Sequence, residues 1–330
     1  MSAEKNIQEK VRLHIRNKNR ERYDLDALKI AVPELADHIT TNKYGAESVD
    51  FANPVAVKLL NKALLNHYYG IKNWDFPEDN LVPPIPGRAD YLHYMADLLG
   101  QSNFGDLPEG DKITVLDIGV GASCIYPIIG AAEYGWNFIG SDINEDSVES
   151  ARNIVNSNSN LEGKIDIRLQ ENSTSLFKGI LNTDEKIDFS MSNPPFHSSP
   201  EEAQKGSRRK VKNLSGKKIV KVELNFAGIS NELIYEGGES KFIHSMIIES
   251  QDFAKNCFWF TTLVSKQSNL KGIYKTLNEL EVAQVKTIPI GTGNKSSRII
   301  AWSFLSKEEQ KEWRETRWRT AEEKPESISE

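Results

Sequence analysis

The sequence predicts an α/β fold: a mostly parallel, seven-stranded sheet with helical crossovers, preceded by a mainly helical extension. Three observations predict it. From residue 113 onward, short β-branched and aromatic runs alternate with stretches of helical period, the pattern of βα units and right-handed crossovers. Residues 24–99 carry helical spacing, interrupted by the proline-rich connector LVPPIPGR at 81–88. An apolar run at 113–118 leads directly into glycines at 119 and 121 and then into a second apolar stretch, the join of strand to helix at which α/β sheets receive ligands.

Length and composition bound the rest. A chain of 330 residues suggests about two domains and can bury a sizeable core without disulfides or metals. The two cysteines, Cys124 and Cys257, exclude a disulfide scaffold and a multi-cysteine zinc module, and their apolar surroundings predict buried, reduced thiols. The formal charge of −6 argues against a generic polyanion binder without excluding local basic patches. No run approaches the ~18 apolar residues of a membrane span. The charged first 22 residues are not a signal peptide. A cytoplasmic protein is expected, with a monomer as the default.

In chain order, residues 1–22 hold seven Lys/Arg against three Glu. They read as a solvated basic arm or as a contact to nucleic-acid phosphates through Arg16, Lys18, Arg20 and Arg22. Asp24 or Asp26 can cap a short helix ending near Ala31. Asn53 and Pro54 supply N-cap and first position for a longer one through Tyr69, ended by Gly70. Residues 90–99 read as a further helix. Strands are expected at 113–118, 136–141, 165–169, 187–192, 257–264, 282–288 and 299–305. Helices are expected near 125–134, 145–157, 240–255 and 270–280. The tail from 306 reads as a surface helix ending in disorder. The resulting division is a helical region with the basic arm at 1–105, a sheet domain at 106–306 with an insertion at 197–242, and a charged tail at 307–330.

Four segments carry chemistry. In ITVLDIGVGASCIYP (113–127) the strand ends at Asp117 and the chain turns at Gly119 and Gly121. Glycines let the backbone approach a ligand, and the following helix N-terminus presents free N–H groups. A dinucleotide fingerprint needs a third glycine where this chain has Cys124. The D-x-G-x-G form resembles instead the S-adenosylmethionine (SAM) site of Rossmann-like methyltransferases. Asp142, ending the run WNFIGSD, lies about 20 residues further on, the place of a carboxylate that accepts ribose hydroxyls. A helix cap is the alternative role for it.

The third segment, IDFSMSNPPFH (187–197), is an apolar strand ending in Asn193, Pro194, Pro195 and Phe196. An exocyclic amine on a base is a poor nucleophile, because its lone pair is delocalised into the ring. The Asn193 side-chain oxygen and the Pro194 carbonyl can accept its two N–H groups and turn the lone pair toward a methyl donor. The prolines stiffen the turn, and Phe196 offers a face for stacking. The fourth segment, 203–221, holds eight Lys/Arg and no acid. Beside a base pocket, Lys205, Arg208, Arg209, Lys210 and Lys212 suit phosphates. The aromatic and glycine-bearing segment 224–242 could form a flap. The six histidines are scattered without metal-ligand spacing, so no metal is expected.

Taken together, the blocks RNKNRERYD (16–24), DFANPVAVKLLNKALL (50–65), LVPPIPGRADYLHYMADLL (81–99), LDIGVGASCIYPIIG (116–130), NPPFH (193–197), LNFAGISNELIYEGGESKFI (224–243) and SRIIAWSF (297–304) resemble the bacterial 23S rRNA (adenine(1618)-N6)-methyltransferase family across nearly the whole chain. The core is also similar to a eukaryotic adenine-N6 methyltransferase acting on structured RNAs. The resemblance implies a class I SAM-dependent methyltransferase, Rossmann-like in fold, with 23S rRNA as partner. By position it implies cofactor contacts at Arg88, Gly119, Ser123, Asp142 and Asn193, with a further one near Asn172. Many relatives have Glu where this chain has Asp142. Three other readings stand beside it: guanine-N2 methylation, which also uses an NPPFH turn; protein glutamine methylation, which would not need the basic segments; and a ribosome-assembly factor that binds rRNA without catalysis.

Overall fold

The computed structural model describes residues 13–41, 45–51, 53–108, 110–199, 202, 234–291 and 297–318. The basic segment with Lys205, Arg208, Arg209, Lys210 and Lys212 lies outside the described residues, as do 224–233.

The N-terminal region opens with α1 (Leu25–Ala31), whose cap Asp24 accepts from the Ala27 N–H. A two-stranded antiparallel ribbon follows, β1 (Ile39–Thr41) and β2 (Glu47–Val49). Strands of three residues are too short to show alternation, and the sequence reading passed over them. α2 (Pro54–Tyr69) starts as expected, with Asn53 accepting from the Val55 and Ala56 N–H groups and Pro54 in the first turn. It ends at Gly70 in the left-handed region, φ 69°. α3 (Ile85–Ser102) begins five residues before the expected start. Pro86 does not delay it, because a first-turn residue has no N–H obligation to the helix.

The sheet comprises β3 (Thr114–Ile118), β4 (Asn137–Asp142), β5 (Ile165–Leu169), β6 (Ile187–Ser192), β7 (Cys257–Val264), β8 (Gln284–Ile290) and β9 (Ser297–Ser303), in the order β5-β4-β3-β6-β7-β9-β8. β5 through β7 pair in parallel, and β9 runs antiparallel between β7 and β8. Successive side chains go to opposite faces: Val115, Phe138 and Phe189 join a core with α3, α4 (Ile125–Tyr134) and α5 (Glu145–Asn156). Leu116, Ile139 and Phe260 join a second core with α6 (Gly238–Ser250) and α7 (Leu270–Glu279). The first core continues without a break into the N-terminal helices through Leu60, Leu64 and Met95. Burial on both faces explains the apolar runs of the central strands β3 and β7, whereas the edge strands β5 and β8 alternate and carry Asp166, Arg168, Gln284 and Lys286.

Topology places the site. The chain begins the sheet at β3, moves outward to β4 and β5, then returns to β6 on the other side of β3. This reversal opens a crevice at the carboxyl ends of the strands. Register aligns those ends, since Ile118 pairs with Ser141 on one side and Ser192 on the other. Gly119, Asp142 and Asn193 therefore stand at the ends of three adjacent strands at one level.

Two expectations need correction. The tail is not a surface helix: α8 (Lys307–Trp313) and the π turn Arg314–Trp318 fold back onto the sheet, with Trp313 4% and Trp318 3% exposed. Both indole N–H groups donate to the Asp188 carboxylate, at 2.8 and 2.7 Å. That acid lies in the wholly buried β6 and gives the tail its anchor. The basic arm from residue 13 is likewise not a solvated tail. His14, Asn17 and Asn19 are buried. The His14 N–H and Asn17 Nδ2 donate to Asp90, and His14 Nε2 lies 2.8 Å from Asp97. Among the described residues no helix is long and apolar enough to cross a membrane.

Candidate cofactor and base pocket

A cavity of about 1030 Å³ opens at the crevice, at the upper end of the size usual for ligand sites. Its floor is the glycine turn. Gly119 and Gly121 adopt φ of 79° and 64°, the left-handed region that favours glycine. Their amides are positioned: the Gly119 and Val120 N–H groups donate to the Ser141 carbonyl at 2.8 and 2.9 Å. A Cβ at Gly119 would meet nothing within 4 Å, so the backbone here faces open space.

Asp142 forms the next wall. One carboxylate oxygen accepts from the Gly121 N–H at 2.9 Å and the other from the Asn144 N–H at 3.0 Å. Burial raises its pKa, against those backbone N–H groups, which hold it down. The helix-cap role falls instead to Asn144, which caps α5 through the Ser147 N–H, and Asp142 is left to brace the turn and line the cavity. Arg88, reaching in from α3, donates to the Tyr126 hydroxyl at 3.2 Å and lies over its ring. Ser192, Asn193 and Pro195 form the opposite wall at the end of β6.

The structure thus brings Arg88, Gly119, Gly121, Ser123, Asp142, Asn193 and Pro195 to one cavity. Asp117, Asn172, Pro194 and Phe196 do not line it. Asp117 is fully buried beneath the turn, and burial pushes its carboxyl up to about 8, with Arg88 pulling it down and Asp142 pushing it up. Asn172 is exposed, with its side chain turned to Thr174 and Ser175. Gln170, Ser173 and Ser175 line the cavity in its place. Arg16 and Lys18, expected to face phosphate, are exposed but paired within the chain. Arg16 bonds Asp97 and Tyr134, and Lys18 bonds Glu133. Arg22 is exposed and Arg20 half-buried.

Sequence reading missed one wall. Residues 75–81, between α2 and α3, cross over the cavity. Trp74 secures this strap by donating to the Ser123 carbonyl at 2.9 Å, and Asn158 holds it through the Lys72 and Asn73 N–H groups. An apolar residue in a polar, irregular stretch is the only local sign of it. Glu249 was also missed: it accepts from the N–H groups of Leu176, Phe177 and Lys178 and fixes the loop after β5.

The family model for RNA methyltransferases matches residues 7–306. The ribosomal RNA large subunit methyltransferase F of Cytophaga hutchinsonii is 54% identical over 321 residues, covering 96% of this chain and 100% of the relative. The chain belongs to the ribosomal RNA large subunit methyltransferase F family. The Photobacterium profundum member is 50% identical over 336 residues, covering 96% and 99%. Among solved structures, the human METTL16 catalytic domain in complex with MAT2A 3′UTR hairpin 1 aligns with a TM-score of 0.75 at 29% identity, over 90% of this chain and 96% of that one. The N-terminal domain of human METTL16 in complex with SAH aligns at 0.69 and 27% identity, over 89% and 99%. The fold is that of a class I SAM-dependent methyltransferase, as the sequence predicts, and SAM is the family's cofactor. The residues fit it: the glycine turn leaves room for a ligand against the backbone, and the Asp142 carboxylate stands at the strand end where a ribose is held.

Proposed function

We propose that this methyltransferase transfers a methyl group to N6 of a specific adenine in 23S rRNA. One observation carries the mechanism: the turn Asn193–Phe196 ends β6 directly beside β3, so Asn193 and the glycine turn line the same cavity. SAM, when bound, supplies an electrophilic methyl group on a sulfonium. Gly119, Gly121, Ser123, Asp142 and Arg88 would hold it. Asn193 and Pro194 then act on the base. The Asn193 side-chain oxygen and the Pro194 carbonyl accept the two amino protons, which orients the nitrogen lone pair and favours its pyramidal form in the transition state. The methylated amine carries one proton too many and is acidic enough to give it to water, so no strong base is needed. Arg20, Arg22 and the basic segment at 203–221 serve as phosphate contacts. The enzyme acts on rRNA in the cytoplasm, as a monomer.

The test is transfer from tritiated SAM to large-subunit rRNA, followed by nucleoside analysis. Label is expected in N6-methyladenosine, and Asn193→Ala is expected to keep the fold and SAM binding while abolishing transfer. Label in methylguanosine would move the chain to guanine-N2 chemistry. Near-normal turnover by Asn193→Ala would overturn the mechanism.

A further inference from the structure

Phe196 offers the target base one aromatic face from the catalytic turn, and like Pro194 it stands beside the residues that line the cavity. Its carbonyl accepts from the Lys266 ammonium at 3.4 Å. Tyr235 does line the cavity, in the same wall as Asn193 and Pro195. We propose that Tyr235 supplies a second face on which the target base stacks, a substrate-binding role that rests on the base-methylating reading above.

Three features set its position. First, Tyr235 runs beside the exit of the catalytic turn: its backbone N–H donates to the His197 carbonyl at 3.0 Å, and Ile234 pairs with His197 in a parallel bridge. The ring and the amine-binding oxygens thus belong to one tethered unit. Second, the ring is braced. Phe242, buried at the start of α6, meets it edge to face, with centroids 5.2 Å apart and planes at 83°. A half-exposed ring held at its edge keeps surface to give to a ligand.

Third, the loop carrying the ring is locked at its base. The Gly238 N–H donates to the Tyr235 carbonyl at 2.7 Å, and Gly237 and Gly238 adopt φ of 85° and 62°. The next residue, Glu239, is 1% exposed. Its carboxylate accepts from the Ser265 N–H and hydroxyl, the Lys266 N–H and the Asn269 amide, at 2.5–3.1 Å. A ring fixed in this way loses little freedom when a base arrives, so stacking is retained as net affinity.

The experiment compares full-length wild type with Tyr235→Phe, Tyr235→Leu and Tyr235→Ala. It measures methyl transfer to large-subunit rRNA, SAM affinity by calorimetry, and the melting temperature. Base–aromatic stacking is lost with the ring, at about 5- to 150-fold in kcat/KM for RNA. Tyr235→Phe is expected to stay within about twofold of wild type, because the face and not the hydroxyl is used. Tyr235→Leu and Tyr235→Ala are both expected to lose at least about fivefold in kcat/KM for RNA, with SAM affinity unchanged. Wild-type kcat/KM in Tyr235→Ala, or in Tyr235→Leu, would overturn the proposal, the second by showing that apolar bulk suffices. A parallel loss of SAM affinity would also overturn it, by making the ring a cofactor wall. The adenine reading is judged separately, by the nucleoside that wild type labels; the ratio of variant to wild type judges Tyr235 whichever base that is. A wild type that labels no RNA would refute both.

Discussion

Replacing Asp188 with Asn probes the clasp that closes the tail onto the sheet. The carboxylate is fully buried at the start of β6. Its Oδ1 accepts from the indoles of Trp313 and Trp318 at 2.8 and 2.7 Å. Its Oδ2 accepts from the Thr114 backbone N–H at 2.7 Å and the Arg317 guanidinium at 3.1 Å. All these partners are donors, so an amide nitrogen placed at either oxygen faces two of them. Each hydrogen bond to a charged acceptor contributes about 1.5–3 kcal/mol. Two are lost, and the buried pair with Arg317 is broken, so the expected destabilisation is about 3–5 kcal/mol. At roughly 2 °C per kcal/mol for a chain of this size, the melting temperature should fall by about 6–10 °C. A melt followed by tryptophan emission reads this out, and the free Trp313 and Trp318 should shift the spectrum to the red before the main transition. A fall of less than about 2 °C would refute the reasoning and mean that the tail is not held by this acid.

Other outcomes follow from the same structure. Gly119→Ala puts a methyl group in the open space above the turn and a side chain at φ 79°; it should cost about 1–2 kcal/mol in stability and weaken SAM binding at least about tenfold by calorimetry, whereas Asn193→Ala should leave SAM binding intact. Gly130→Ala should destabilise by about 1–3 kcal/mol in a denaturant titration, because its Cβ would lie 2.3 Å from the Phe138 ring. Asp117, raised by burial from 3.8 to about 8, is held neutral in the fold; the native state binds the extra proton, so stability falls as pH rises from about 4 to about 8 and levels off above. Asp117→Asn should therefore gain on wild type across that window, and a difference in melting temperature that stays constant with pH would refute the assignment.

Local pattern carried most of the sheet. β5, β6 and β7 fall where the apolar runs place them, and α4 matches its expected bounds, because each is long enough to show its period. The glycine turn, Asp142 and Asn193 were legible for a different reason: they lie at strand ends, where a motif of a few residues states both the backbone turn and the chemistry. What escaped is non-local. Nothing near Asp188 in sequence announces that Trp313 and Trp318, more than 120 residues away, will donate to it. The arm at 14–19 reads as a solvated tail or a phosphate contact, yet hydrogen bonds and ion pairs to Asp90, Asp97 and Glu133 on α3 and α4 tie it down.

The sequence by itself determined the order of elements, the strand ends that meet a ligand and the chemistry of the catalytic turn. These follow from side-chain period and from motifs contained within single segments. Only the tertiary structure decided which residues share the cavity. The strap at 75–81 and the Tyr235 ring reach it from distant parts of the chain, whereas Phe196, the residue directly after Pro195, is not among the residues that line it. Sequence spacing sets what a segment can do, whereas the packing of two faces of a sheet and the register of β3 against β6 set what it faces.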